Sequence, residues 1–181
     1  MRCYPWAAVN RMGSGKGFVL GFAVALVLLA AGAFCYFDFG FAPVATASQP
    51  MPFETFLAKH ALKAALAKEA SQPSPVDAGE PNLKSGAAVY RENCAVCHGL
   101  PGAPSTAIAK GMFPKVPQLF HGKGVTDDPV GETYWKVRNG IRLSGMPGFG
   151  GSLSDDQMWQ VSQLLAHADK LPESVRNELS R

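Results

Sequence analysis

The chain has 181 residues, 47% of them hydrophobic and 17% charged, and a formal net charge of +3. That length accommodates one domain with extra segments. A charge so small excludes a nucleic-acid or strongly acidic partner as the organising interaction.

The apolar excess is concentrated near the N-terminus. Phe18 to Phe37 reads FVLGFAVALVLLAAGAFCYF, without a charged residue. Such a stretch, at ~1.5 Å rise per residue, spans roughly 30 Å of helix, the thickness of a bilayer's hydrocarbon core. Arg2, Arg11 and Lys16 precede it and Asp38 follows. Positive charge stays on the cytoplasmic side. Residues 1–16 therefore read as a basic cytoplasmic N-terminus and residues 17–37 as a transmembrane anchor, with everything beyond exported. A cleaved signal peptide competes with this reading. Its apolar core is about 7–15 residues, shorter than the run here, but Ala45-Thr46-Ala47 has the small-residue pattern of a cleavage site. Cleavage there would leave a soluble periplasmic protein; length favours the anchor. Cys35 fits the span as a small apolar residue. Cys3 lies on the reducing side, so no disulfide joins the two. The glycine-rich stretch 12–17 departs from a phosphate loop in spacing and context and reads as a flexible flank.

Residues 38–82 read as a linker carrying one helix. Residues 53–70, FETFLAKHALKAALAKEA, are rich in strong helix formers. Phe53, Phe56, Leu57 and Ala64 share one face, while Leu62 and Leu66 point elsewhere, so amphipathicity is mediocre. His60, on the Phe-bearing face, reads as a helix residue before it reads as a ligand. Residues 71–82, SQPSPVDAGEPN, hold three prolines and would reach about 37 Å if extended at roughly 3.1 Å per residue.

A helical domain is expected over 83–172. Asn82 is a candidate cap for a helix whose inward face carries Leu83, Gly86, Ala87, Tyr90 and Cys94. Gly86 in mid-helix costs about 1 kcal/mol against alanine, which makes sense if another helix crosses closely there. Residues 99–127 read as a long loop with short turns. Such a loop is suspect in a compact domain unless a further group organises it. Asp128-Pro129 starts a second helix with the stripe Val130, Tyr134, Val137 and Ile141, ended by Gly140. A third begins at Ser154, with Gln157 completing a capping box. Met158, Val161, Leu164, Leu165 and Ala168 form its buried side. Residues 173–181 read as a polar, fraying tail. No β pattern emerges, so the fold is all-α.

Within the first of these helices stands Cys94-Ala95-Val96-Cys97-His98, the pattern of c-type haem attachment. Thiols at i and i+3 lie on one face of a helical turn, so both reach the same porphyrin edge as thioethers. His98, next door, is carried to the iron. A zinc site wants a second ligand pair and a redox dithiol wants a βαβ pattern; neither is present in the sequence. One covalent haem c would also supply the centre that so small a helical domain needs. The attachment chemistry is carried out on the exported side in bacteria, which agrees with a single-pass inner-membrane protein holding its haem domain in the periplasm.

The sixth iron position decides between electron transfer, which wants it filled, and ligand chemistry, which wants it open. Met112, Met146, Met158, His121 and His167 are the candidates. Met146 stands out in Ser144-Gly145-Met146-Pro147-Gly148-Phe149: glycine permits close backbone approach and Pro147 stiffens the loop. Met112 ranks second, Met158 faces the helix core, and the two histidines read as structural or exposed. A metal-bound imidazole passes its other N–H to a carbonyl or carboxylate; Pro117 is the candidate carbonyl. Tyr134, Trp135 and Arg142 are candidates for the haem propionates, against plain packing for the first two and a solvated charge for Arg142.

Leu83, Gly86, Tyr90, Cys94-x-x-Cys97-His98-Gly99, Pro117-x-Leu119, Gly145-Met146-Pro147-x-Phe149 and a final helix with Trp159 follow an order that resembles a class I monohaem cytochrome c, over about residues 83–170. The resemblance implies haem thioethers on Cys94 and Cys97, His98 and Met146 as axial ligands, Pro117 on His98, and a helix crossing where Gly86 meets Trp159. It implies an electron carrier rather than an enzyme. Expected partners are exported redox donors and acceptors, such as a respiratory complex or a dehydrogenase, with Lys110, Lys115 and Lys123 as candidate steering charges. The alternatives are a haem enzyme or small-ligand sensor in which Met146 is displaced, and a fixed cytochrome subunit of a larger dehydrogenase or oxidase.

Overall fold

The computed structural model describes residues 14–181; Arg2, Cys3 and Arg11 lie outside the described residues. The chain divides into two units, residues 1–44 and 45–181. In the first, α1 is a 25-residue helix, Ser14–Asp38. It is longer than the expected span at both ends, and the flank from Ser14 to Gly17 is helical rather than irregular. Its side chains from Gly15 on are exposed all round, and a helix apolar on every side is not the helix of a water-facing surface.

The second unit is all-helical, as expected. Its elements are α2 (Glu54–Glu69), α3 (Glu80–Asn93), α4 (Ala95–His98), α5 (Ala107–Gly111), α6 (Val130–Asn139), α7 (Asp155–Ala166) and α8 (Glu173–Leu179). The core is built where the apolar stripes of α3, α6, α7 and α8 meet: Leu83, Ala87 and Tyr90, then Val137, then Met158, Val161, Leu164 and Leu165, then Val175 and Leu179. Helices α3 and α7 cross at Gly86. A Cβ there would collide with the Gln160 carbonyl and lie 3.2 Å from Leu164 Cβ. The bare backbone is what lets the axes approach. The glycine's neighbours are Gln160 and Leu164 rather than Trp159, whose ring instead stacks on Tyr134 at 3.8 Å between centroids.

The capping box of α7 forms as read: Ser154 Oγ accepts from Gln157 N at 3.2 Å, and Ser154 N donates to Gln157 Oε1 at 2.9 Å. Asn82 does not cap α3. That helix starts at Glu80 after Gly79, because Asn82 Nδ2 is turned to Asp77 Oδ1 at 3.2 Å. The supposed free linker is docked. Gln163 Nε2 donates to Val76 O at 2.7 Å, and Gly131 passes so near the chain that a Cβ would stand 2.5 Å from Ala70 O and 2.6 Å from Gln72 O. The supposed fraying tail is helix α8. Val175 and Leu179, one turn apart, are fully buried, and Arg91 of α3 binds Glu178 Oε1 at 2.9 Å. The long loop contains α5, capped by Thr106, whose Oγ1 accepts from Ala109 N at 3.1 Å.

Candidate haem site

Cys94, Cys97 and His98 lie on and just before the single turn α4. Cys97 N and His98 N both donate to Cys94 O, at 3.1 and 2.9 Å, which places the two thiols on one face. Neither is joined in a disulfide. Burial pushes the Cys94 thiol up to about 12, with Cys97 adding to the shift, so it is neutral in the folded chain before any bond is made to it.

The turn is held from three sides. Tyr90 Oη donates to Gly99 O at 2.7 Å, made possible by Gly99 at φ +75, where the chain leaves the turn. Thr106 Oγ1 donates to Val96 O at 2.7 Å. Gln118 Nε2 reaches Cys97 O at 3.4 Å. Phe120 meets the Tyr90 ring edge-on at 5.0 Å. Burial of Tyr90 raises its phenol well above the ordinary value.

His98 Nδ1 donates to Pro117 O at 2.9 Å. That bond sets the tautomer, leaving the Nε2 lone pair for a metal. Burial lowers the His98 pKa, against the opposing pull of the Pro117 carbonyl.

Met146 sits on a loop pinned to the C-terminal end of α6. Phe149 N donates to Val137 O at 2.9 Å and Gly150 N to Arg138 O at 3.0 Å, which satisfies helix-end carbonyls that lack intrahelical partners. Ile141 N donates to Met146 O at 3.2 Å across the loop. Gly140 at φ +69 turns the chain into this loop, and a Cβ there would stand 2.7 Å from Met146 O. Gly145, at φ +77, leaves room for Met112: a Cβ would be 2.6 Å from Met112 Cε. Met112, ranked second in the sequence, thus reaches the loop that carries Met146.

The other candidates fall elsewhere. Met158 is buried in the core. His167 Nδ1 donates to Gln163 O at 2.9 Å within α7, His121 is exposed, and His60 stacks on Phe56 at 6.0 Å. Tyr134 Oη donates to Asp155 Oδ1 and Trp135 Nε1 to Glu69 Oε2, both at 3.0 Å. Arg142 is exposed. The residues that sequence reading passed over are Gln118 and Thr106, whose signals are ordinary polar residues in a loop, and the hydroxyl role of Tyr90.

Two thiols on one helical turn, an imidazole with its tautomer set and a thioether on a pinned loop fit a covalently held haem. Thr133, one turn before Val137, has a buried hydroxyl without a partner among the described residues. A family model described as cytochrome c oxidase, cbb3-type, subunit III matches residues 81–165. Cytochrome c6 of Limnospira maxima is 35% identical over 81 residues, which are 45% of this chain and 86% of the relative. The chain belongs to the c-type cytochromes. The cytochrome is all-α and binds haem c covalently. A chain of the reducing HAO-like protein complex of Kuenenia stuttgartiensis is similar at a TM-score of 0.43 and 25% identity, over 57% of this chain and 54% of that one. The cytochrome thus spans about half the length of that structure.

Proposed function

We propose that this cytochrome is a one-electron relay, held on the membrane by α1 with its haem domain on the exported side. Cys94 and Cys97 carry the macrocycle as thioethers, and His98 and Met146 are the axial ligands. When bound, the haem supplies an iron couple that takes up and releases single electrons. Pro117 orients the His98 ring. Val137 and Arg138 hold the C-terminal end of the Met146 loop through Phe149 N and Gly150 N. Cys94, Cys97 and Tyr90 keep the attachment turn fixed between the two redox states. The observation that carries this reading is the 2.9 Å bond from His98 to Pro117, which prepares an imidazole for a metal on its free nitrogen. A thioether on a loop tied at both ends supports a filled sixth position.

Exported redox proteins are the partners this implies. Lys123 is a weak steering charge, since Asp127 lies 3.5 Å from it; Lys110 and Lys115 are exposed. A fixed cytochrome subunit of an oxidase is the second reading, favoured by the description of the family model that matches residues 81–165. Carbon monoxide tests the relay. The reduced native protein is expected to leave it unbound on mixing, while Met146→Ala takes it up rapidly. Rapid uptake by the native protein would favour a ligand sensor or enzyme. Copurification of the detergent-solubilised chain with a stoichiometric oxidase would favour the subunit reading.

A further inference from the structure

Helix α2 has two apolar faces with different fates. Helical periodicity places Leu62, Leu66 and Glu69 on one side. Leu66 is 8% exposed and Glu69 accepts from Trp135 Nε1, so this side is fastened to the haem domain. The other side carries Phe56 and Leu57, exposed at 66% and 60%, with Ala61 and Ala64 continuing it and His60 among them, stacked on Phe56; Phe53, exposed at 76%, precedes the helix as its N-cap. Lys63 and Lys59 border that face on one edge and Lys68 on the other. None of the three makes an ion pair among the described residues. The helix's two acids are taken up elsewhere: Glu54 Oε2 accepts from Met51 N at 2.8 Å, and Glu69 holds Trp135. An exposed Phe/Leu stripe bordered by uncommitted lysines is a feature shared with helices that lie in a membrane interface, although the opposite face, docked on the haem domain, is apolar too.

The chain itself limits how far this face can be from a bilayer. Residues 39–53 join α1 to α2, and a segment of that length reaches roughly 50 Å fully extended. Phe39 and Phe41 within it are each 70% exposed, apolar side chains of the type that interfacial segments bury at the acyl boundary. We propose that the outward face of α2 lies in the headgroup layer of the membrane in which α1 is anchored. Phe53, Phe56 and Leu57 insert, and Lys59, Lys63 and Lys68 meet anionic headgroups. The inference rests on the anchor reading above. Its consequence is that the haem domain is held at a set attitude to the bilayer, through Leu66, Glu69–Trp135 and the close pass of Ala70 on Gly131, instead of swinging on a free linker.

The test uses the full-length holoprotein in nanodiscs of phosphatidylcholine and phosphatidylglycerol, with Cys3 and Cys35 replaced by serine. A nitroxide is placed in turn at Phe56→Cys, at Val24→Cys in α1 and at Asn177→Cys on α8. Relaxation by oxygen, which partitions into lipid, is compared with relaxation by a water-soluble nickel chelate. The expected result is oxygen-dominated relaxation at 56 as at 24, and nickel-dominated relaxation at 177. Replacing Lys59, Lys63 and Lys68 by glutamine, or omitting phosphatidylglycerol, is expected to shift position 56 towards nickel. Nickel-dominated relaxation at 56 with 24 still in lipid overturns the inference and leaves the anchor standing. Nickel-dominated relaxation at both overturns the anchor and the inference with it. Shielding of 56 from both reagents also overturns it, in favour of a second copy or a protein partner on that face.

Discussion

Gly86 of α3 and Gln160 of α7 are packed backbone against backbone: the Gln160 carbonyl occupies the place a Cβ on residue 86 would take. Gly86→Ala would gain about 1 kcal/mol of helix propensity. It would lose more by forcing two helices apart, since overpacking a rigid neighbour costs typically 1–3 kcal/mol and a backbone carbonyl cannot rotate away. The variant is expected to unfold at lower urea than the native holoprotein. An unchanged or raised midpoint would mean that the crossing is looser than the structure has it.

Leu179→Ala is expected to cost about 2–5 kcal/mol, as for other fully buried leucines, because α8 packs its Val175 and Leu179 on α3. Arg91→Ala should cost less, since Arg91 and Glu178 are both partly exposed and such pairs contribute on the order of 1 kcal/mol or below. Equal, negligible effects in thermal unfolding would restore the picture of a fraying tail.

These two cases show where sequence reading succeeds and where it stops. The Gly86 crossing, the Ser154–Gln157 capping box and the Cys94–His98 turn are local signals, each a residue type whose chemistry dictates its surroundings. Helix α8 is not legible in that way, because Val175 and Leu179 are only two apolar residues in a polar string, and what buries them is α3, some 90 residues earlier in the chain. The docked segment 70–78 is equally hidden. The three prolines of 71–82 read as a spacer, and nothing local announces that Gln163 will bind Val76 or that Gly131 will admit Ala70. The carboxylate partners of Tyr134 and Trp135 are hidden for the same reason, lying 21 and 66 residues away in sequence. The Pro117–His98 contact was legible because a metal-bound imidazole requires such an acceptor.

Tyr90 gives the stability a dependence on alkaline pH. Burial raises its phenol above the ordinary value, so the folded state keeps the proton after the unfolded chain has lost it. The stabilisation is present below about pH 10, the unfolded value, and is lost as pH rises towards the folded value. The native protein is expected to weaken more steeply above pH 10 than Tyr90→Phe in urea titrations. At neutral pH the variant should be less stable by about 1–3 kcal/mol, the cost of leaving the Gly99 carbonyl without its donor. Parallel pH profiles would contradict this.

Gly145→Ala strains the Met146 loop chiefly through its backbone and displaces the methyl end of Met112. Alanine at φ +77 costs roughly 1–2 kcal/mol, and its Cβ would be 2.6 Å from Met112 Cε. Weaker iron–sulfur absorption in the oxidised protein is the expected result. Adding Met112→Ala should recover part of it, by removing the contact while leaving the backbone strain. Absorption unchanged in Gly145→Ala would show that the loop does not depend on this turn.

The central claim is that Met146, and not its neighbour Met112, closes the iron's sixth position. Proton NMR of the reduced protein tests it most directly, because a methionine bound to the iron places its methyl group over the porphyrin face, where the ring current shields it strongly. One such methyl resonance is expected in the native protein and in Met112→Ala, and none in Met146→Ala. A shielded methyl that persists in Met146→Ala and vanishes in Met112→Ala would contradict the assignment.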